Sequence, residues 1–330
     1  MAKRTLTANV RGMFKLLLLV VFAIFFQGGT GCPGPIIPNP NRKLLLSKER
    51  DYFLFNPVWH PDGERIYYLA IPDSGQWYGQ PPYDLCGGGI WSIRADGTDD
   101  RPVLDGCFYG LTISRDGEKL AFMLGRYPIE RESTIVVADT SGTIVDTIRT
   151  TGGAVSWVRF SRKDDTKLYY SSWIHRDTIG YFRINLDGSG EELILARGPD
   201  GAASIYFDLF SDDSLYLHPV RLAHQGVPSL FPQADNYVVY PVQGYEFQTQ
   251  REWGDLILKN LVTGEEDSLH ADPFGLLTYI DFPSWSPEGN RIVYCVGPWR
   301  GDPLWIEELE LWMIENVEPG KKGMSIGKRR

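Results

Sequence analysis

One phrase returns along this 330-residue chain, and a chain that repeats a turn-and-strand unit is confined to architectures that array that unit. It reads Trp59-His60-Pro61-Asp62-Gly63-Glu64-Arg65-Ile66-Tyr67-Tyr68, then Ile113-Ser114-Arg115-Asp116-Gly117-Glu118-Lys119-Leu120-Ala121-Phe122, then Trp285-Ser286-Pro287-Glu288-Gly289-Asn290-Arg291-Ile292-Val293-Tyr294. Two worn copies start at Phe160-Ser161-Arg162 and at Phe231-Pro232-Gln233, and end in Leu168-Tyr169-Tyr170 and Val238-Val239-Tyr240. The physics is that of a hairpin. Proline presets φ, the aspartate bonds its own turn backbone, glycine takes the left-handed position, and an alternating apolar strand leaves.

After a variable gap each phrase is followed by another strand and turn, as in Ile90-Trp91-Ser92-Ile93-Arg94-Ala95-Asp96-Gly97 and Tyr181-Phe182-Arg183-Ile184-Asn185-Leu186-Asp187-Gly188. A short apolar strand closes the unit, as in Pro102-Val103-Leu104. Four strands per roughly 40 to 55 residues make a propeller blade. Aromatic residues at 13%, with 35 glycines and 22 prolines, favour the same all-β reading. From about Leu44 to Val317 the chain resembles the TolB-type, WD40-like propeller repeat, whose mark is a Trp-Ser-Pro-Asp-Gly turn followed by a strand and then a strand ending in Asp-Gly.

The expectation is an all-β propeller over residues 43–317 with six four-stranded blades. Five of these are recognisable, and one, around Tyr206 to Leu217, is degenerate. The last blade, ending in Leu311-Trp312-Met313-Ile314, lacks a fourth strand, and Lys43-Leu44-Leu45-Leu46 stands alone before the first phrase. The N-terminal strand is therefore expected to complete the last blade, which removes two exposed sheet edges. Residues 318–330 read as a frayed, basic tail.

Residues 1–31 have the layout of a secretory signal: Lys3, Arg4, Arg11 and Lys15 come before or at the edge of the apolar run Leu16 to Phe26, which is too short to span a bilayer. Gly29-Thr30-Gly31-Cys32 resembles the bacterial lipobox, although Gly29 stands where the family has an aliphatic residue. That resemblance implies lipidation at Cys32, an exported, envelope location, and anchorage in a membrane through the lipid. Residues 32–42 hold four prolines and read as an extended tether. The chain carries a net charge of −9, and losing the four basic residues of the signal takes it to about −13, which argues against a nucleic-acid partner. Export permits a disulfide, and Cys86 with Cys107 is the expected pair, since both flank glycine-rich turns. Cys295, in a strand-like run, reads as a buried free thiol.

The long insertions fall between the second and third strands, hence on one end of the ring. They carry Trp77, Tyr78, Tyr83, Tyr127, Trp173, Tyr245, Trp253, Trp299 and Trp305, the expected binding residues, because loops on a rigid ring and large aromatics are the usual materials of recognition. No nucleophile elbow, phosphate loop, Cys-x-x-Cys or His-Glu-x-x-His is present, and the five histidines have no ligand spacing. His60 reads as a turn residue. The chain is thus expected to be a non-enzymatic envelope lipoprotein with no catalytic residue, metal or cofactor, binding a protein partner through the aromatic loops. The alternative is an envelope polysaccharide-binding protein or a metal-assisted polysaccharide lyase on the same fold, with glycan as partner and His175, His218 or His224 converging with acids.

Overall fold

The computed structural model describes residues 39–47, 52–72, 88–124, 134–151, 153, 155–175, 178–197, 208–211, 214–217, 229–230, 232, 236–246, 251–272, 278–300, 305–306 and 309–320. All are strand, turn or irregular, and no described helix is long and apolar enough to cross a membrane. The strands form five four-stranded antiparallel blades. Blade 1 is β2 (Tyr52–Trp59), β3 (Arg65–Pro72), β4 (Gly89–Arg94) and β5 (Arg101–Asp105), after the lone strand β1 (Arg42–Leu46). Blade 2 is β6 (Phe108–Ile113), β7 (Lys119–Leu124), β8 (Thr134–Asp139) and β9 (Ile144–Arg149). Blade 3 is β10 (Val155–Phe160), β11 (Lys167–His175), β12 (Thr178–Asn185) and β13 (Glu192–Arg197). The hairpin β14 (Asp208–Ser211) with β15 (Ser214–Leu217) follows. Blade 4 is β16 (Ser229–Leu230), β17 (Tyr237–Glu246), β18 (Arg251–Asn260) and β19 (Glu266–Ser268). Blade 5 is β20 (Thr278–Trp285), β21 (Ile292–Arg300) and β23 (Glu310–Ile314), with the short β22 (Trp305–Ile306) against β21.

The fourth strand of blade 5 is β1, as expected from the unpaired N-terminal strand. Arg42 pairs with Ile314, Lys43 with Met313 and Leu44 with Trp312. Side chains hold the same seam: Lys43 Nζ lies 2.8 Å from Glu315 Oε1, and the Arg42 guanidinium stands 5.5 Å from the centre of the Trp312 ring.

The count of six blades is corrected to five. The physical reason lies in the turns, which bond directly from one blade to the next all the way round. Arg291 of blade 5 donates to Gly63 O of blade 1 (3.0 Å), and His60 Nε2 of blade 1 meets Gly117 O of blade 2 (3.1 Å). The Arg115 amide of blade 2 donates to Asp165 Oδ1 of blade 3 (2.7 Å), and Arg162 of blade 3 donates to Pro232 O beside blade 4 (3.0 Å). The Trp285 amide of blade 5 closes the circle on Ser229 Oγ of blade 4 (3.4 Å). Blade 3 therefore bonds directly to the residues beside blade 4 at this end, and among the described residues the segment expected to form a degenerate blade supplies only β14 and β15.

The turns themselves are built as the phrase implies. Gly63, Gly117 and Gly289 sit at φ 73°, 77° and 74°. Asp62 Oδ1 accepts from the Glu64 amide (2.7 Å) and Asp116 Oδ1 from the Glu118 amide (2.9 Å). The cores lie between neighbouring blades: Ile66, Tyr68 and Ile93 of blade 1 pack with Val293, Cys295 and Met313 of blade 5. A second repeat joins second strands to fourth. The phenols of Tyr68 and Tyr170 donate to Asp100 and Glu191, which precede β5 and β13, so a buried hydroxyl finds its acceptor and each phenol is pushed well above its ordinary pKa by burial and then by the carboxylate.

Candidate functional site

The first strands of all five blades run toward the phrase turns, and their ends enclose an axial pocket of about 450 Å³. Strand register identifies equivalent positions around it. Val58, Thr112, Arg159, Ser229 and Ser284 pair with Tyr67, Ala121, Tyr169, Val239 and Val293, each one residue beyond the second-strand residue that opens the apolar run. All five border the pocket, as do the next residues Trp59, Ile113, Phe160 and Trp285. Pro61, Arg115, Arg162 and Pro287 edge its mouth.

Just before this ring the first strands bulge. The register shifts between Phe55 and Val58, Tyr109 and Thr112, Val155 and Trp157, and Asp281 and Ser284. Asn56, Gly110 and Phe282 adopt φ 53°, 60° and 52° there. Bulges re-aim the residues that follow them, and a bulky residue at positive φ costs on the order of 1–3 kcal/mol unless its surroundings hold it. Phe282 is held: its amide donates to Asp281 Oδ1 (2.6 Å), whose Oδ2 accepts from Tyr279 OH (2.7 Å).

Several lining groups serve the scaffold. The Trp59 indole N–H donates to Ser284 O (3.1 Å), and its ring lies 4.5 Å from the Arg291 guanidinium. Ser114 Oγ donates to Asp116 Oδ1 (2.5 Å), and Ser161 Oγ accepts from the Lys163 and Asp164 amides (3.2 Å each). Thr112, Ser284, Arg115 and Arg159 give the wall its polar character, together with Ser229 and Arg162, which also carry the blade-to-blade bonds to the Trp285 amide and Pro232 O. Arg159 is half-buried, 5.0 Å from the centre of the Trp157 ring, and its pKa is pushed down to about 10 by burial and by the neighbouring Arg162 charge. Arg115 is exposed at the rim. Among the described residues the lining contains no carboxylate and no imidazole, in a chain whose net charge is −9.

Of the residues chosen from sequence, those that the structure describes do not line this pocket. Trp77, Tyr78, Tyr83, Tyr127, Cys32, Cys86, His218 and His224 lie outside the described residues. Trp173 is a half-buried strand residue of β11 packed against Tyr169, Ile179 and Tyr181. Tyr245, Trp253, Trp299 and Trp305 also belong to strands and not to irregular loops: Gly244 pairs with Trp253, Tyr245 with Glu252, and Arg300 with Trp305. All are at the end of the blades remote from the phrase turns. Cys107 is disulfide-bonded, and Cys295 is a free thiol, fully buried and pushed well above its ordinary pKa by burial and then by the Asp281 charge. His175 is exposed, and among the described residues no three His, Cys, Asp or Glu side chains are grouped to hold a metal.

Sequence reasoning missed the axial pocket because it weighed loop length and not the differences among copies of the phrase. The signal was there: Arg159 stands just before the phrase where three other copies have Val58, Thr112 and Ser284, and Arg115 and Arg162 stand where two copies have Pro61 and Pro287.

No family model matches the chain. Among curated proteins it is 29% identical over 140 residues to pentonolactonase XacC from Haloferax volcanii, a match covering 40% of this chain and 39% of that protein. The chain thus aligns with about two fifths of the length of that relative. Among solved structures it is similar to TolB from Acinetobacter baumannii, at 13% identity and TM-score 0.36 over 82% of this chain and 56% of that one. It is also similar to XC5397, a gluconolactonase from Xanthomonas campestris, at 11% identity and TM-score 0.45 over 83% and 89%. The expectation that the chain is not an enzyme is corrected: its curated match is to a lactonase, and an enzymatic role replaces the inert scaffold as the reading to test.

Proposed function

We propose that this chain is an exported envelope propeller that acts on small sugar-derived molecules, lactones first among them, in its axial pocket. The observation that carries the reading is the convergence of all five phrase turns on one cavity of about 450 Å³, a size suited to a small ligand, walled by hydroxyls, indoles and guanidinium groups. The sequence match to a pentonolactonase supports the choice of lactones. In that reaction water adds to the acyl carbon, the ring C–O bond breaks, and the product is a hydroxy acid that sheds a proton. The wall of this pocket is suited to holding the ligand and stabilising negative charge on its acyl oxygen. The signal-like segment of residues 1–31 and the lipobox-like Cys32 support export and lipid anchorage. The test is a pH-stat assay of the purified chain on five- and six-carbon aldonolactones. Acid release above the spontaneous rate is expected, and its absence across the panel overturns the reading.

A second reading concerns the opposite end. The ten-residue β17 and β18 pair along their whole length, and β21 pairs with β22, so Tyr245, Trp253, Trp299 and Trp305 ride on two hairpins of neighbouring blades. That end is proposed to engage an envelope protein. Cross-linking in intact cells is expected to recover one partner, with recovery reduced by Trp253→Ala; recovery of glycan in its place rejects it.

A further inference from the structure

The axial pocket is asymmetric in charge although its five walls are equivalent in structure. The ring formed by Val58, Thr112, Arg159, Ser229 and Ser284 is uncharged at every position but one. Beside that position stands Arg162, and the rim adds Arg115, so three guanidinium groups come from the adjacent blades 2 and 3 while blades 4, 5 and 1 contribute hydroxyls and apolar groups. A guanidinium presents a planar fork of donors that matches a carboxylate. In a chain of net charge −9, a recess whose described lining holds three cations and no carboxylate is also a local attractor for anions.

From this arrangement we propose that the pocket binds sugar acids, with the ligand carboxylate on the Arg159 side between blades 2 and 3 and the polyhydroxy chain against Thr112, Ser229 and Ser284. The proposal rests on the reading that the axial pocket is the working site, and it names the chemical class that site selects. It makes the acid produced from a lactone a ligand in its own right. Half-burial gives the Arg159 charge more weight than one at the surface, because screening is weaker away from water. The lowered pKa of Arg159 still leaves it cationic near neutrality, so the attraction persists across the physiological range.

The test is isothermal titration of the full chain with gluconate, galacturonate, glucose 6-phosphate and neutral glucose. The sugar acids are expected to bind at least tenfold tighter than glucose, and to weaken as salt is raised. Arg159→Gln is expected to lose tenfold or more in affinity for the acids and to leave the weak binding of glucose unchanged. Should Arg159→Gln fail to fold, Arg115→Gln at the exposed rim is expected to lose about threefold with the melting temperature unchanged. Equal affinity for gluconate and glucose, tighter binding of the sugar phosphate than of the acids, or full affinity in a folded arginine variant each overturns the proposal. A pH-stat run on the same preparation separates the two readings. Acid binding without lactone hydrolysis rejects the lactonase reading alone, and hydrolysis without acid binding rejects this one alone.

Discussion

At the phrase-turn end of the ring, five copies of one sequence meet around an axis and bond from blade to blade through Arg291, His60, the Arg115 amide, Arg162 and the Trp285 amide. At the other end, the connections between second and third strands share neither length nor sequence, and two of them continue the β-ladder outward as hairpins of β17 with β18 and β21 with β22. The two ends use the same strands and differ in what is repeated. Where the sequence repeats, the backbone repeats, and a single departure such as Arg159 among Val58, Thr112, Ser229 and Ser284 stands out as chemistry on a fixed frame. Where nothing repeats, aromatic content alone does not tell an anchor from a packed strand residue, as the half-buried Trp173 demonstrates.

The most forceful way to break the comparison is to truncate one aromatic at each end. Trp285 is 5% exposed in the core shared by blades 4 and 5, so Trp285→Ala should cost about 3–5 kcal/mol in urea unfolding. Trp173, half-buried at the far end of β11, should cost below about 2 kcal/mol on the same change. Equal losses would mean that both ends are packed alike and that the axial joints carry no special share of stability.

A smaller effect sharpens the role of the joints themselves. Gly117 and Gly264 share nearly the same left-handed φ, 77° and 75°, but a Cβ on Gly117 would lie 2.6 Å from His60 Nε2, whereas one on Gly264 would meet nothing within 4 Å. Gly264→Ala should therefore cost only the left-handed strain, about 1–2 kcal/mol. Gly117→Ala should cost about 1 kcal/mol more, through loss of the His60 bond across the blade junction. If the two alanine variants unfold at the same urea concentration, the His60 joint contributes nothing.

Much of the fold was legible because turn chemistry and strand alternation are local. The phrase gave the hairpins, and the unpaired Lys43-Leu44-Leu45-Leu46 gave the closure on β23. The blade count was not legible from strand counting: a hairpin such as Leu209 to Tyr216 has the same local pattern whether or not the ring makes room for it, and only the direct bond from Arg162 to Pro232 O excludes it from between blades 3 and 4 at the turn end. The tyrosine ties from Tyr68 and Tyr170 were hidden because their acids, Asp100 and Glu191, lie 32 and 21 residues away with no fixed offset. The pocket escaped notice for a related reason, since it exists only where five distant strand ends converge.

The least forceful test uses acid. Among the phrase turns, Asp164 is held at a pKa of about 2, by the Thr166 hydroxyl first (2.5 Å) and by Lys167 Nζ (2.9 Å) next. Asp116 and Asp62 are also held below the ordinary carboxylate value. A carboxyl whose pKa is lower folded than unfolded binds fewer protons in the native state, so its stabilisation is complete above the unfolded value near 4 and is lost as pH falls toward 2. These turns are at the surface, where solvent and salt screen the charges, so the expected effect is a modest drop in the urea midpoint between pH 4 and pH 2. Asp164→Asn should lower the midpoint at pH 7 and flatten its decline below pH 4. An unchanged acid slope in that variant would show that the turn hydrogen bonds hold equally well without the charge, leaving the blade-to-blade bonds to carry the turn end alone.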